Sequence, residues 1–505
     1  MNDANSRREE QPPADVVSLK SRIRAGARLM AIETRDENRV VDLFGHVRRD
    51  GGLPLIRWTA TEGLRRMDAD LHPPGDTLEP EDALRHIRDR AGRSVFLLMD
   101  FHPYFQDPVI VRLLREIGRA EGEGRHLVVL VSPALDLPRE LGGLASRFEL
   151  SLPGPDELEQ MVREEARNWA RENDNQKVKT SPRALELLIS NLSGLPMKDA
   201  RRLARNAIWD DGAIGEQDLP DLMQTKFELL DPDGLLTFEM ETERFSRIAG
   251  MNRLRSWLEQ RATVFTDEEP PKGLDVPKGV LLLGVQGCGK SVAARAVAGI
   301  FGVPLLSMDC GGLHNRYQGE SERNLRESLA SAETMAPCVL WMDEIEKGMA
   351  VSDSDGGTSR RMLGSFLTWM AERRSRVFLV ATANEIDQLP PELIRQGRFD
   401  EIFFVDLPDT DTRVRILSLH LERRGLNSRE FRLDELAGES EGFSGAELEQ
   451  AVISAQYAAH GRGGEQAGHE DLARAIADTR PLSVVMAERV AELRDWARQR
   501  TVPAD

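Results

Sequence analysis

The chain has 505 residues and a formal net charge of −18, and 40% of its residues are hydrophobic. This length corresponds to about three domains, and the acidic balance argues against nucleic acid as a partner, because coating DNA or RNA requires Lys and Arg at the phosphates. No apolar run approaches the ~18 residues of a membrane span, and no signal peptide follows Met1, so we expect a cytoplasmic protein without a membrane partner. The three cysteines, Cys288, Cys310 and Cys338, form no C-x-x-C pair, which predicts small, buried, reduced thiols.

The amino-terminal half begins with a polar stretch that contains Pro12 and Pro13, so residues 1–20 are predicted to be a disordered tail. Over residues 21–155, short apolar runs alternate with amphipathic segments, a pattern typical of a parallel α/β sheet. The predicted strands are Arg28–Glu33, Leu55–Trp58, Ser94–Met99 and His126–Val131. Residues 156–235 have an apolar period near 3.6 and are predicted to form a helical subdomain.

The second half repeats this order, with an α/β core predicted at 236–408, a helical lid at 409–482 and a carboxyl-terminal helix at 483–505. The predicted strands of the core are 279–283, 303–308, 337–342, 376–381 and 402–406. The repetition favours a degenerate internal duplication. Periodicity alone leaves open the alternative of two unrelated α/β units.

A glycine-rich motif follows the first strand of the second half. Residues 284–291 read G-V-Q-G-C-G-K-S, the P-loop pattern, in which backbone N–H groups surround phosphate oxygens. The predicted ATP-binding residues are Gly284, Val285, Gln286, Gly287, Cys288, Gly289, Lys290 and Ser291. Lys290 supplies positive charge at the β and γ phosphates, and the Ser291 hydroxyl is a predicted Mg²⁺ ligand. A purely structural turn is the alternative, but a strand before the motif and a helix after it favour the nucleotide site.

Two carboxylates end the apolar strand that contains Cys338. Asp343 is predicted to hold Mg²⁺ together with Ser291, and Glu344 is predicted to orient and deprotonate the attacking water. Asn384 follows the next strand and is predicted to hydrogen-bond the water and the γ-phosphate. On its own, an Asn at a strand end is often only a turn former, so its assignment depends on the other motifs.

Two arginines, Arg395 and Arg398, follow this sheet three residues apart. Guanidinium groups beside a nucleotide stabilise charge that develops on the transferred phosphoryl group, so both are candidate arginine fingers. The alternative is a structural ion pair with Asp400.

Together these motifs resemble those of the classical clade of AAA (AAA+) ATPases, and within it the plastid and bacterial ycf-type, or sporulation-type, members. The motifs are GVQGCGKS, LWMDE, ATAN and LIRQGRFDE, with Gly319–Glu322 and Gly442–Ala446. The resemblance implies an α/β fold with a P-loop AAA+ core and a carboxyl-terminal helical lid, preceded by a degenerate AAA-like α/β domain. It also implies hydrolysis of ATP with Mg²⁺ in a homo-oligomeric, usually hexameric, ring. The arginine fingers would then act on the neighbour's nucleotide, and the ring would act on a protein client.

Further site residues follow from the resemblance. Ile248 and Gly250 match the segment that touches adenine, and Gly445 and Ala446 match the lid turn near the ribose. Tyr317 matches an aromatic pore-loop residue that grips polypeptide, for which the alternative is a packed loop tyrosine.

The first half lacks this chemistry in its sequence. Thr34–Asn38 contains no glycine cradle, Phe101 is predicted at the position of the catalytic glutamate, and Ser132 at that of the sensor asparagine. We therefore expect the first half to be a nonhydrolysing adaptor or scaffold.

Two functions of the whole protein remain open, a ring-shaped ATP-driven protein remodeller and a slow ATP-dependent assembly switch whose amino-terminal domain binds partners. A nucleic-acid motor is disfavoured by the net charge.

Overall fold

The computed structural model describes residues 14–34, 36–67, 77–120, 126–133, 135–231, 235–239, 248–267, 270–311, 320–349, 358–395, 397–463 and 466–505. The chain divides into two compact units. The first comprises Met1–Val178 and Leu192–Gly212, and the second comprises Lys179–Asn191 and Ala213–Asp505. Among the described residues, every helix is too short or too polar to cross a membrane.

The first unit contains a six-stranded sheet. Its strands are Leu29–Glu33 (β1), Leu55–Thr59 (β2), Gly63–Arg66 (β3), Val95–Met99 (β4), Leu127–Ser132 (β5) and Ala145–Arg147 (β6). They lie in the order β3-β2-β4-β5-β1-β6, and only the pair of β2 and β3 is antiparallel. The four predicted strands are found within one residue of their predicted bounds, whereas β3 and β6 have no counterpart among them.

Helices cover both faces of this sheet. They are Ala14–Arg24 (α1), Glu37–Gly51 (α2), Pro80–Asp89 (α3), Pro108–Arg119 (α4) and Arg139–Gly142 (α5). Leu29 and Ala31 pack in a core with α3 and α4, and Met30 and Ile32 pack in a core with α1 and α2. Because both faces are covered, the central strands read as continuous apolar runs. Residues 14–20, predicted to belong to the tail, are part of α1, where buried apolar side chains repay the ordering of the chain.

A mainly helical segment follows the sheet. Its elements are Pro155–Glu172 (α6), Lys179–Thr180 (β7), Pro182–Leu192 (α7), Met197–Asp211 (α8), Ala213–Ile214 (β8) and Leu219–Leu230 (α9). The α6 helix packs on α8, where the Arg201 guanidinium donates to the buried Glu165 carboxylate over 2.8 Å. Met223 and Phe227 of α9 pack in the core of the second unit.

The second unit contains a seven-stranded sheet. Its strands are Leu236–Glu239 (β9), Gly279–Gly284 (β10), Leu305–Asp309 (β11), Cys338–Asp343 (β12), Val377–Ala383 (β13), Glu401–Val405 (β14) and Val502–Pro503 (β15). They lie in the order β15-β14-β10-β13-β12-β11-β9, and only β9 is antiparallel to its neighbour. The five predicted strands are found within two residues of their predicted bounds. The edge strands β9 and β15 have no counterpart among the predictions.

Besides α7 and α9, the helices of the second unit surround this sheet and then form a separate helical cluster. They are Asn252–Thr266 (α10), Lys290–Phe301 (α11), Glu320–Thr334 (α12), Ile345–Met349 (α13), Thr358–Glu372 (α14), Thr410–Arg423 (α15), Leu433–Glu439 (α16), Gly445–Gly461 (α17), His469–Asp478 (α18), Leu482–Val485 (α19) and Ala487–Ala497 (α20). Helices α15 to α18 share an apolar core of their own and form the lid.

Five parallel strands have the same order in the two sheets. The series β6-β1-β5-β4-β2 of the first unit corresponds to β14-β10-β13-β12-β11 of the second. In both, one edge strand is antiparallel. Because the carboxyl ends of parallel strands meet at one edge of a sheet, β10, β12 and β13 bring the P-loop, Asp343 and Asn384 together.

Candidate functional site: a nucleotide cleft

The loop between β10 and α11 has the backbone geometry of an anion cradle. Gly287 has φ of 79°, a conformation that L side chains rarely adopt. A Cβ atom at this position would lie 3.0 Å from Ser444 Oγ and 3.1 Å from Ala446 Cβ of the lid. The glycine therefore permits both the turn of the loop and the close approach of the lid. The loop leads directly into α11, whose amino terminus attracts negative charge.

Lys290 is buried at the start of α11, and its charge is held inside the loop. Its Nζ donates to the carbonyl oxygens of Gly284 and Val285 over 2.8 and 2.9 Å. Burial lowers the pKa of Lys290 to about 8, although the nearby Glu346, Asp343 and other acidic groups oppose this shift. A phosphate anion in the cleft would supply the negative charge that a buried ammonium group favours.

Thr382 of β13 contacts Asp343 at the end of β12 and Glu344 directly after it. Its hydroxyl donates to Asp343 Oδ1 and accepts the backbone N–H of Glu344 over 3.1 Å. Glu344 itself has φ of 49°, which turns the chain sharply at the end of the strand. Non-glycine residues in this region are uncommon and concentrate at functional sites. Thr382 lies inside the ATAN motif, but the sequence analysis assigns it no role.

The Glu344 carboxylate is held on both oxygens. Asn384 Nδ2 donates to Oε1 over 3.1 Å, and the Lys347 ammonium group pairs with Oε2. The hydrogen bond with Glu344 raises the pKa of Lys347, so its ammonium group stays charged at neutral pH. Lys347 is a further residue that the sequence-based assignment misses; the turn in which its N–H donates to the Glu344 carbonyl over 2.8 Å brings it beside that carboxylate.

A third carboxylate, Glu346, lies behind this pair. It is 2% exposed, and its Oε1 accepts the backbone N–H of Asn384 over 2.9 Å. Burial raises the pKa of Glu346. Asn384 is therefore tied by its backbone to Glu346 and by its side chain to Glu344.

Of these groups, Lys290, Asp343, Glu344 and Asn384 line one cleft of about 400 Å³. The predicted site residues that line it are Ile248, Gln286, Gly287, Cys288, Gly289, Lys290, Ser291, Asp343, Glu344, Asn384, Gly445 and Ala446. Gly284 and Val285 contribute the carbonyls that hold Lys290, and Gly250 lines an adjoining pocket.

The three cysteines are free thiols: Cys288 is half-buried, whereas Cys310 and Cys338 are buried. Burial raises the pKa of Cys288 to about 12, so its thiol is neutral.

The lid supplies one wall of the cleft. A capping box starts α17, because Ser444 Oγ accepts the N–H of Glu447 and a Glu447 oxygen accepts the N–H of Ser444. This places Ala446, whose N–H donates to the Gly287 carbonyl over 3.0 Å. Lid residues absent from the sequence-based set also line the cleft, namely Ile416, Leu419, His420, Arg423 and Glu449. Burial lowers the pKa of His420, so its 3.6 Å contact with Glu449 involves a neutral ring.

The two candidate arginine fingers lie away from this cleft. Arg395 is exposed, and Arg398 Nη1 donates to the carbonyl of Leu367 over 3.2 Å. The Asp400 carboxylate accepts the N–H groups of Lys278 and Gly279 over 2.5 and 2.8 Å. Among the described residues, Asp400 makes no ion pair with either arginine. Tyr317 lies outside the described residues.

The corresponding edge of the first sheet carries its own anion. Only residues 34–36 separate β1 from α2, compared with residues 285–289 between β10 and α11. Asp36 occupies the amino terminus of α2, where its buried carboxylate accepts the N–H of Arg39 over 3.2 Å, and its own N–H donates to Thr34 Oγ1. The position that a phosphate would need is thus filled by a side chain.

Two positional predictions for this half are wrong by one residue. Asp100 follows β4 with φ of 50°, as Glu344 follows β12 with φ of 49°, so Asp100 and not Phe101 corresponds to the glutamate. Met99 then corresponds to Asp343, and since Met99 is paired with Val131, the sensor position falls at Pro133 and not at Ser132. Phe101 is instead fully buried in the core. The backbone turn is retained, while the magnesium aspartate and the sensor amide are absent from these positions.

Family models match both halves of the chain. The ATPase family associated with various cellular activities (AAA) matches residues 280–407, and the AAA+ lid domain matches residues 430–473. The SpoVK-like AAA ATPase N-terminal domain matches residues 16–150, and the second domain of the same type matches residues 156–233. Fold and site therefore define an AAA ATPase domain with its lid, preceded by SpoVK-like domains, and the predicted fold class is confirmed.

The whole chain has full-length relatives. It is 32% identical over 478 residues to an uncharacterized AAA domain-containing protein ycf46 of Trieres chinensis, a match that covers 93% of this chain and 94% of that protein. It is 34% identical over 404 residues to the ycf46 protein of Guillardia theta, covering 79% and 78%. The chain belongs to this ycf46 family of AAA domain-containing proteins. The chain is also 33% identical over 250 residues to the ATP-dependent zinc metalloprotease FtsH 3 of Sphaerobacter thermophilus. This shorter match covers 48% of this chain and 51% of that protein.

Proposed function

We propose that the second unit hydrolyses ATP to ADP and phosphate, with Glu344 as the general base. The observation that carries this proposal is the hydrogen bond from Asn384 to Glu344 in the cleft that Lys290 and Ser291 also line. Glu344 accepts a proton from the attacking water, and Asn384 orients the carboxylate and the water. Lys290 binds the β and γ phosphates.

The cleft also fits a Mg²⁺ ion. Ser291 and Asp343 are oxygen ligands of the kind that Mg²⁺ prefers, and both line the cleft, where phosphates and waters would complete the coordination. Bound Mg²⁺ would neutralise charge on the β and γ phosphates. Thr382, by donating to Asp343, fixes the orientation of that ligand.

We infer that the protein acts as a homo-oligomeric ring, with six subunits as the usual number in AAA proteins. The exposure of Arg395, and the position of both arginines outside the cleft of their own chain, support action on a neighbour's nucleotide. A guanidinium supplied by another subunit stabilises charge on the transferred phosphoryl group. Hydrolysis would then be linked to assembly.

The ring would remodel a protein client, which Tyr317 would grip in the pore. The test is Tyr317→Ala, for which we expect basal ATP hydrolysis near that of the wild type together with loss of client remodelling. Undiminished remodelling would favour the alternative function, a slow assembly switch whose amino-terminal half binds partners. The Asp36 carboxylate supports that alternative. It occupies the amino terminus of α2, where a phosphate would otherwise bind, so the first sheet needs no nucleotide for its structure.

Two variants test the hydrolysis itself. Lys290→Ala should abolish ATP binding, because it removes the phosphate-binding charge, whereas Glu344→Gln should bind ATP and fail to turn it over. Calorimetry with ATP and a phosphate-release assay separate the two outcomes. Unchanged affinity in Lys290→Ala, or normal turnover in Glu344→Gln, would contradict the assignment.

A further inference from the structure

The segment 482–505, which we call the strap, runs from the lid to the sheet beside the nucleotide cleft. At its first end, the N–H of Leu482 donates to Glu447 Oε1 over 2.6 Å. The other oxygen of the same carboxylate accepts the N–H of Ser444 over 2.7 Å, which completes the capping box at the start of α17. The strap is thus joined to the lid turn that carries Ala446 in the cleft.

The middle of the strap is joined to the connection between sheet and lid. Arg494 Nε lies 2.9 Å from each carboxylate oxygen of Asp406, and its Nη2 lies 2.8 Å from Oδ1. Asp406 directly follows β14 and precedes α15, the first helix of the lid. A multiple contact of this geometry is stronger than a single surface ion pair, although partial exposure of both groups weakens it.

The last residues of the strap hold the first turn of α10. Strand β15 pairs with β14, and the Ala504 carbonyl accepts the N–H groups of Arg253 and Leu254, each over 3.0 Å. Asp505 Oδ1 accepts the backbone N–H and the side-chain Nδ2 of Asn252 over 3.1 and 2.8 Å. Three of the N–H groups in the first turn of α10, which have no acceptor within the helix, are therefore satisfied by the strap.

Gly250 shows how closely the strap approaches the predicted adenine segment. It has φ of 76°, and a Cβ atom there would lie 2.6 Å from Asp505 Oδ2. The backbone of residues 248–251 is thus held between the cleft and the Asp505 carboxylate.

A second cavity, of about 330 Å³, lies between the strap and the cleft. Both cavities are lined by Ala249, Met251, Cys288, Ile416 and Gly445. On its other side, the second cavity is lined by strap residues that include Arg494, Thr501, Ala504 and Asp505. The strap therefore stands behind the part of the cleft wall that contains Ala249, Met251 and Cys288, and none of its residues lines the cleft itself.

We propose that the strap positions the base-binding side of the nucleotide cleft, and that Asp505 is a positioning residue for it. The inference rests on the proposed nucleotide site. Asp505 fixes Asn252 and the first turn of α10, which fixes Met251 and Ala249 in the wall of the cleft. Because Lys290, Ser291 and Glu344 line the cleft but not the cavity beside the strap, the strap governs nucleotide affinity and leaves the chemical step alone.

The test compares nucleotide binding and turnover in Asp505→Ala and Asp505→Asn. We expect Asp505→Ala to weaken binding of ADP and ATP by the same factor, about tenfold, which corresponds to ~1.4 kcal/mol. The turnover number at saturating ATP should stay within about twofold of the wild type. Asp505→Asn retains an acceptor oxygen for Asn252 and should restore most of the affinity. The matched control is Asp495→Ala, which removes an exposed carboxylate of α20 whose partner is Arg498.

Hydrogen exchange supplies a readout that does not depend on activity. Faster exchange at the amides of residues 252–254 in Asp505→Ala, with unchanged exchange in β10 and α11, is the expected result. Wild-type affinity in Asp505→Ala, or parallel loss of affinity and turnover number, would overturn the positioning role. If the wild type binds no nucleotide, the proposed site itself fails, which is a different outcome.

Discussion

The side-chain amide of Asn384 donates to Glu344 Oε1 over 3.1 Å, and its backbone N–H donates to Glu346 Oε1 over 2.9 Å. One asparagine at the end of β13 is thus fixed by two carboxylates that follow β12. Since Glu346 is buried and Glu344 faces the cleft, the buried carboxylate holds the asparagine that orients the carboxylate in the cleft. The arrangement makes the direction of the Glu344 carboxylate depend on the neighbouring strand.

We predict that Asn384→Ala lowers the turnover number about 10²-fold, the loss expected when a reacting group is misplaced by roughly 1 Å. Affinity for ADP should change less than about twofold, because the phosphate contacts of Lys290 and Ser291 are untouched. Steady-state kinetics and calorimetry check both values. The control is Asn427→Ala, which removes a comparable 3.0 Å amide bond to Glu430 on the exposed surface of the lid. An equal effect of both variants would show that Asn384 has no special role.

The arginine assignment predicts complementation between defective subunits. Arg395→Ala and Arg398→Ala should each bind ATP and hydrolyse it poorly, because both residues lie outside their own cleft. Mixing either variant with Lys290→Ala should restore some hydrolysis, since one subunit supplies the intact P-loop and the other supplies the arginines. Arg163→Ala, at an exposed position of α6, is the control and should hydrolyse normally. Failure to complement in rings shown to contain both subunits would mean that the arginines act within one chain or structurally.

Lys226 of α9 predicts a pH-dependent stability. Burial lowers its pKa from 10.5 to about 8, while Cys338, a weaker influence, opposes the shift. Between these two pKa values the unfolded chain binds more protons than the folded one, so this residue makes the free energy of unfolding rise with pH from about 8 to 10.5. Below pH 8 the full cost of burying the charge, up to about 3 kcal/mol, is present.

Because Lys226→Met removes this titration, the stability of the variant relative to the wild type should be greatest below pH 8 and should fall progressively as the pH rises above 8. The difference in thermal midpoint between the variant and the wild type, measured at pH 7 and pH 9.5, checks the sign. A conservative change at an exposed lysine, Lys272→Met, is the control and should give a small difference at both pH values. A gain for Lys226→Met that increases with pH would contradict the assignment.

The two sheets predict a nucleotide stoichiometry. Full-length wild-type protein should bind one ADP per chain, and Lys290→Ala should bind none, because Asp36 fills the anion position of the first half. Calorimetry on the intact chain measures both values and avoids cutting α9 away from the core in which it packs. Residual micromolar binding in Lys290→Ala would show that the first half has a nucleotide site of its own.

Most of the two sheets can be predicted from sequence, because their central strands are buried on both faces. β10, β12 and β13 are apolar along almost their whole length, and this signal needs no knowledge of their neighbours. β15 gives no such signal. It has two residues, one of them Pro503, and it exists only because the strap returns to the edge of the sheet.

The candidate site divides in the same way. The P-loop, Asp343 and Glu344 are contiguous motifs whose chemistry is evident from residue type and spacing. His420 and Glu449 line the cleft because the lid packs against Gly287, which is a tertiary contact between distant segments. The one-residue error at Phe101 has a local cause, since only the backbone conformation reveals that Asp100 occupies the turn. Residue types alone lead to Phe101 as the counterpart of Glu344, whereas the backbone turn identifies Asp100.

Asp36 gives the two halves different thermodynamic responses to the same solution. A ligand that binds only the folded state stabilises it in proportion to the logarithm of its concentration. The second unit should therefore melt at a temperature that depends on how much ADP is present. In the first unit, the anion at the amino terminus of α2 is the Asp36 carboxylate, which belongs to the chain itself. Unlike a bound nucleotide, it is present at a constant effective concentration. The melting of that half should consequently be the same in a cell replete with ATP and in one depleted of it.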